Sequence, residues 1–173
     1  MSFIRPICIG LAALFFSACS TTLDPDIVPV ENFKTDRYLG KWYEIARIEN
    51  RFEKDLTQVT AEYTRRDDAG IKVVNRGYNA KKQKWNEATG KAFFVENENT
   101  GYLKVSFFGP FYGPYVIFEL DEDYQYSFVT NHNKKYLWLL ARTPEVSEAV
   151  KDKFMSRIHQ MGFETQNLIW VDQ

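Results

Sequence analysis

The chain has 173 residues and a formal net charge of −1, with no basic cluster, which argues against a charge-built surface for nucleic acid. It contains only two cysteines, Cys8 and Cys19. Aromatic residues make up 16% of it, a high share that must line something.

The N-terminus opens on a targeting pattern. Arg5 supplies a small positive region, and Ile7 through Phe16 is an almost unbroken apolar run. The run is too short to span a bilayer as a helix, which needs about 20 apolar residues. Small residues then lead into the polar Ser20-Thr21-Thr22. This is the profile of a cleaved secretory signal over residues 1–18. Cys8 leaves with it, so Cys19 becomes the one cysteine of an exported chain. Such a cysteine points to a free thiol, an intermolecular bridge or a modification. Phe16-Ser17-Ala18-Cys19 resembles the processing site of bacterial lipoproteins, with Phe16 where the usual site has Leu. The resemblance implies an acylated Cys19. Ser20 in place of aspartate implies delivery to the outer membrane, with the protein facing the periplasm.

About 155 residues remain, the size of a single domain. Residues 19–32 include Asp24, Pro25, Asp26 and Pro29 and few bulky apolar residues, and are expected to form a flexible lipidated tether. The domain proper is expected over residues 33–173. Period-2 alternation marks strands in Val59–Tyr63, Ile71–Asn75, Leu103–Phe107 and Tyr124–Val129. Turn signals separate them at Asp67–Gly70, Asn79–Gln83, Asn97–Gly101 and Asn131–Lys134. Eight strands are predicted, at 41–50, 57–65, 71–78, 86–95, 102–108, 115–120, 124–130 and 136–142. Eight short antiparallel strands joined by hairpins suit an all-β, up-and-down barrel, which leaves no exposed edge.

One helix follows. Thr143 is the expected N-cap and Pro144 the first helical residue. Val146, Val150, Phe154, Ile158 and Met161 form one apolar stripe, expected to pack outside the barrel, and Gly162 fits the residue just past the helix end. Leu168–Val171 suits a short last strand beside the first.

Three motifs along these elements carry a family resemblance. Gly40-Lys41-Trp42-Tyr43-Glu44 resembles the first motif of lipocalins, Asp121–Tyr126 loosely resembles the second, and Arg142 matches the third. With the processing site and Ser106–Gly113, the chain resembles bacterial outer-membrane lipocalins, of the branch that includes apolipoprotein D. The resemblance implies that Arg142 packs across the Trp42 ring at the closed end, a structural cation–π pair with Gly40 and Tyr43 beside it. It also implies a small hydrophobic ligand, and for bacterial members a fatty acid or lysophospholipid.

Alternation then predicts the side chains that face the barrel interior. Counting back from Arg142 gives Leu140, Trp138 and Tyr136. The other strands contribute Val59, Ala61, Tyr63, Ile71, Val73, Asn75, Ala88, Gly90, Leu103, Val105, Phe107, Tyr115 and Ile117, while Lys104 and Ser106 are expected to face water. A barrel of this size is either filled or holds one small ligand. The loops Asn50–Asp55 and Phe108–Pro114 are expected at the open mouth, with Arg51 and Lys54 near a ligand head group.

The expected role is binding, storage or transport of fatty acids or lysophospholipids by a protein held in the outer membrane through acylated Cys19. The rival classes are a structural envelope lipoprotein with a filled barrel and a lipid-modifying enzyme. The second lacks a nucleophile-elbow context and any metal-ligand spacing around His132 and His159. Glu44 and Glu119 are the candidate inward carboxylates. No cofactor and no metal are expected. Oligomeric state is left open, a homodimer being allowed.

Overall fold

A computed structural model describes residues 22–173. The expected signal peptide over residues 1–18 and Cys19 lie outside the described residues. After a short turn of helix, α1 (Thr35–Tyr38), come eight antiparallel strands. They are β1 (Gly40–Ile48), β2 (Leu56–Arg65), β3 (Ile71–Asn79), β4 (Lys84–Phe94), β5 (Tyr102–Phe108), β6 (Phe111–Leu120), β7 (Tyr126–Thr130) and β8 (Leu137–Ala141). Each pairs with the next, and β1 pairs with both β2 and β8, so the sheet closes on itself. This is the expected barrel.

The strand limits match the alternation closely except at β6. That strand begins at Phe111, not near residue 115, because Phe108 pairs with Phe111 across a two-residue turn at Gly109-Pro110. The expected long loop 108–114 is therefore a tight hairpin. Ser106, expected in water, is buried on the outer face of β5.

The helix α2 (Glu148–Gln160) starts four residues later than Thr143 and Pro144 suggested. Two hydroxyl residues compete for the cap. The Ser147 hydroxyl accepts from the Val150 amide, whereas the Thr143 hydroxyl donates to the Glu145 carbonyl. A side-chain acceptor for an early helical N–H decides where a helix begins. At the other end the Gly162 and Phe163 amides bond back to the His159 and Ile158 carbonyls, closing the helix after Met161. Phe154 and Ile158 are fully buried against the outside of the barrel, with the Phe154 ring edge-on to Phe128 at 5.0 Å. A last strand, β9 (Leu168–Trp170), pairs with β1 as expected.

The segment expected to be a flexible tether is packed from Asp24 onward. The Asp24 amide bonds the His132 carbonyl in the β7–β8 turn, Val30 bonds Ile117, and Phe33 bonds Asn99 in the β4–β5 turn. Ile27 is buried in the outer core and Phe33 in the barrel floor. Isolated apolar residues among polar ones gave no periodic signal, yet each fills a gap between strands. The segment is a strap that runs down the outside of the barrel from one end to the other.

Candidate functional site

The barrel has two unlike ends. At one, α1 and the strap close the floor. Trp42, completely buried, donates its indole N–H to the Tyr38 carbonyl at 2.8 Å. Arg142 lies over its ring at 3.9 Å and donates to the carbonyls of Arg37, Lys41 and Tyr124. Gly40 has φ 93°, a conformation that strains any side chain, and its Cα faces the Arg142 guanidinium. Tyr43, by contrast, turns outward under Lys41 and packs against the outer core. Tyr38, Tyr63 and Tyr115 meet above this floor. The Tyr115 hydroxyl is 2.8 Å from that of Tyr38 and 2.9 Å from that of Tyr63. Burial pushes the Tyr38 hydroxyl up to about 12 and the other two well above the usual tyrosine range, so all three stay neutral.

Above the tyrosines lies a narrow cavity of about 100 Å³. Twelve of the residues expected to face inward line it: Val59, Ala61, Tyr63, Ile71, Val73, Asn75, Leu103, Val105, Phe107, Tyr115, Trp138 and Leu140. Four do not. Ala88 is exposed, because β4 pairs with β5 only from Lys91 to Phe94, and its upper half stands beside β3 alone. Gly90 is buried but filled over: a Cβ there would fall 2.8 Å from the Phe107 ring. The missing side chain is what lets Phe107 lie across β4. Ile117 is completely buried in the floor, below the cavity. Tyr136 precedes β8 and stacks at the rim on Trp138, with ring centroids 5.8 Å apart.

Alternation missed Phe33, Tyr38, Glu53, Thr60 and Ala92, which also line the cavity. Phe33 and Tyr38 come from the strap and α1, and Glu53 from the β1–β2 loop, where no period operates. Ala92 shares the register of Ile71 and was legible on that ground.

Glu44 does face the cavity, and Glu119 does not. A bulge between Glu44 and Ala46 shifts the alternation of β1, so that Glu44 and Arg47 both turn inward. The Arg47 guanidinium donates to the Glu44 carboxyl at 2.7 Å and to the carbonyls of Glu53 and Leu56. Glu53 accepts from the indole N–H of Trp138 at 3.0 Å and from Asn50. Burial, and then the nearby Glu53 carboxylate, push Glu44 well above the ordinary carboxylate range, against the opposing pull of Arg47. A second bulge, after Ile117 in β6, turns Glu119 outward to Lys153 at 2.7 Å on α2.

The wall beside Glu44 is closed in an unusual way. β1 and β2 pair only from Gly40↔Tyr63 to Tyr43↔Thr60. Beyond that the C-terminal residues fill the seam. Val171 donates to the Ile45 carbonyl, Gln58 donates to the Asp172 carbonyl, and the Gln173 amide bridges the Glu44 and Val59 carbonyls.

At the mouth, Arg51 covers the exposed Phe52 ring, and Lys54 follows on the same loop. The arrangement as a whole is a slim apolar well with neutral hydroxyls at its base and a carboxyl–guanidinium pair in its wall.

Comparisons with known proteins agree with this geometry. The family model described as a lipocalin-like domain matches residues 33–173. The outer membrane lipoprotein Blc of Vibrio cholerae is 53% identical, over 94% of this chain and 99% of its own length. The Blc lipoprotein of Escherichia coli K12 is 45% identical over 94% and 92%. Apolipoprotein D of Macaca fascicularis is 30% identical over 83% and 78%. Among solved structures, insecticyanin from the tobacco hornworm Manduca sexta superposes with a TM-score of 0.69 at 17% identity, over 88% of this chain and 87% of that one. Lobster apocrustacyanin A1 gives 0.64 at 17%, over 88% and 93%. With a closed eight-stranded barrel, a Trp42–Arg142 floor and an external helix, the chain belongs to the lipocalin family.

Proposed function

We propose that the protein is an outer-membrane lipoprotein, anchored through acylated Cys19, that binds and carries a single-chain lipid in the cell envelope. Its role is binding, not catalysis. The reading is supported by the names of its relatives, outer membrane lipoproteins in Vibrio cholerae and Escherichia coli. The observation that carries it is the apolar well open at one end of the barrel. At about 100 Å³ it is well below the roughly 300–1,000 Å³ of drug-sized sites, a slimness that favours one acyl chain over a double-chained phospholipid. A fatty acid or lysophospholipid then leaves its head at the mouth, where the Arg51 guanidinium and the Lys54 ammonium meet a carboxylate or phosphate.

Titration of delipidated protein with lysophosphatidylethanolamine tests this through Trp138, which lines the well. A saturable fluorescence change is expected. An unchanged signal, with no lipid found by native mass spectrometry of protein from its own cells, overturns the carrier reading. It would favour the structural alternative, which the tyrosine-filled lower barrel also suits. The same mass spectra report whether the chain is a monomer or a homodimer.

A further inference from the structure

We propose that the mouth of the barrel docks on an anionic phospholipid bilayer, with the β5–β6 hairpin inserted among the head groups. Three independent observations converge there. The first is apolar. Phe108 and Phe111, paired at the hairpin tip, are 71% and 78% exposed, and Phe52, on the β1–β2 loop across the mouth, is 58% exposed. Tyr112 lies below the tip, with the ammonium groups of Lys91 and Lys104 over its ring at 5.9 and 5.6 Å. Aromatic side chains backed by lysines that reach up to phosphates are the composition of an interfacial segment.

The second is electrostatic. The mouth loops, residues 49–55, 80–83, 109–110 and 131–136, carry six cations against three carboxylates. One of the three, Glu53, is turned into the well. The closed-end loops, residues 66–70, 95–101 and 121–125, carry seven carboxylates and one cation, Arg66. A chain with almost no net charge is thus polarised along the barrel axis, and an anionic surface attracts the mouth and repels the floor.

The third is the course of the strap. It starts at the mouth, where the Asp24 amide bonds the His132 carbonyl and both Asp24 and Asp26 pair with Lys134 at 3.0 and 2.9 Å. Cys19 lies five residues before Asp24, a span of at most about 18 Å. This part of the argument rests on the reading of Cys19 as the membrane anchor. An anchor at that distance holds the mouth, and not the acidic floor, toward the bilayer.

Flotation of the Cys19→Ser chain with vesicles tests the surface without the acyl chains. Vesicles of phosphatidylethanolamine with a quarter phosphatidylglycerol are expected to carry the protein at low salt, and pure phosphatidylcholine vesicles at least tenfold less. Phe108→Ser with Phe111→Ser is expected to cut flotation at least tenfold again, with thermal unfolding and lysophospholipid titration unchanged. For the acylated protein in the same vesicles, amine labelling at Lys81 and Lys82 is expected to be slower than at Lys34 and Lys72. Flotation indifferent to lipid charge or to the double substitution, equal labelling, or a dimer in solution that the substitutions dissolve, overturns docking. Loss of lipid titration with flotation intact overturns the carrier reading alone and supports the surface.

Discussion

The two ends of this barrel are made of similar residues used in opposite ways. At the floor, aromatic rings are buried and their polar atoms are all engaged: Trp42 on the Tyr38 carbonyl, Tyr124 accepting from the Lys34 amide, Arg142 on three carbonyls. At the mouth, Phe52, Phe108 and Phe111 stand in solvent, with Arg51 over the Phe52 ring. A buried ring adds to stability through area removed from water, and a cation over its face adds about 0.5–2 kcal/mol more. An exposed ring adds nothing until a partner covers it. The floor therefore holds the fold, and the rings at the mouth are free for a bilayer to cover.

The sharpest break of that contrast is Trp42→Ala. It removes a fully buried ring and leaves Arg142 over a void, for an expected loss of about 3–5 kcal/mol. By comparison Phe111→Ala, at the mouth, is expected to stay within about 0.5 kcal/mol. Denaturant unfolding measures both, and similar losses at the two ends would erase the distinction. Next in size is Ala61→Phe, which places a ring in the well. Lysophospholipid affinity is expected to fall at least about tenfold, or about 1.4 kcal/mol, without loss of the folded state. Unaltered affinity would place the ligand elsewhere.

The C-terminal seam gives a smaller effect. Removing Asp172 and Gln173 deletes three hydrogen bonds across β1 and β2, and about 1–3 kcal/mol is the expected cost, read as a lower melting temperature. The subtlest is Glu44→Gln. Burial raises the Glu44 carboxyl in the fold, so just above its ordinary value of 4.5 the unfolded chain gives up a proton that the native chain keeps. Stability must then fall as pH rises from about 4.5 toward the raised native value. The glutamine variant is expected to flatten that slope. A slope identical to that of the parent chain would mean that Glu44 ionises freely.

Much of this was legible in the sequence. Strict alternation in β3 and β5 placed Ile71, Val73, Leu103 and Val105 inside, because a pleated strand with one covered face allows no other order. The failures fall where that period is interrupted. Bulges in β1 and β6 turned Arg47 inward and Glu119 outward. The end of β5 left Ala88 outside the wall, and Gly90 became a landing for Phe107. Caps behaved likewise: Thr143 and Ser147 are equivalent in isolation, and only the docked position of α2 selects Ser147.

By itself the sequence determined the barrel, its external helix, the floor pair Trp42–Arg142 and most of the well. Each rests on a local repeat or a motif that any chain position can display. Tertiary structure alone decided that residues 24–33 form a strap and not a free tether, and that the C-terminus seals the β1–β2 seam. It also decided that the strap begins at the basic, aromatic end. These are contacts between segments far apart in the chain. Their energy comes from gaps that exist only once the strands have closed, and no local pattern encodes a gap.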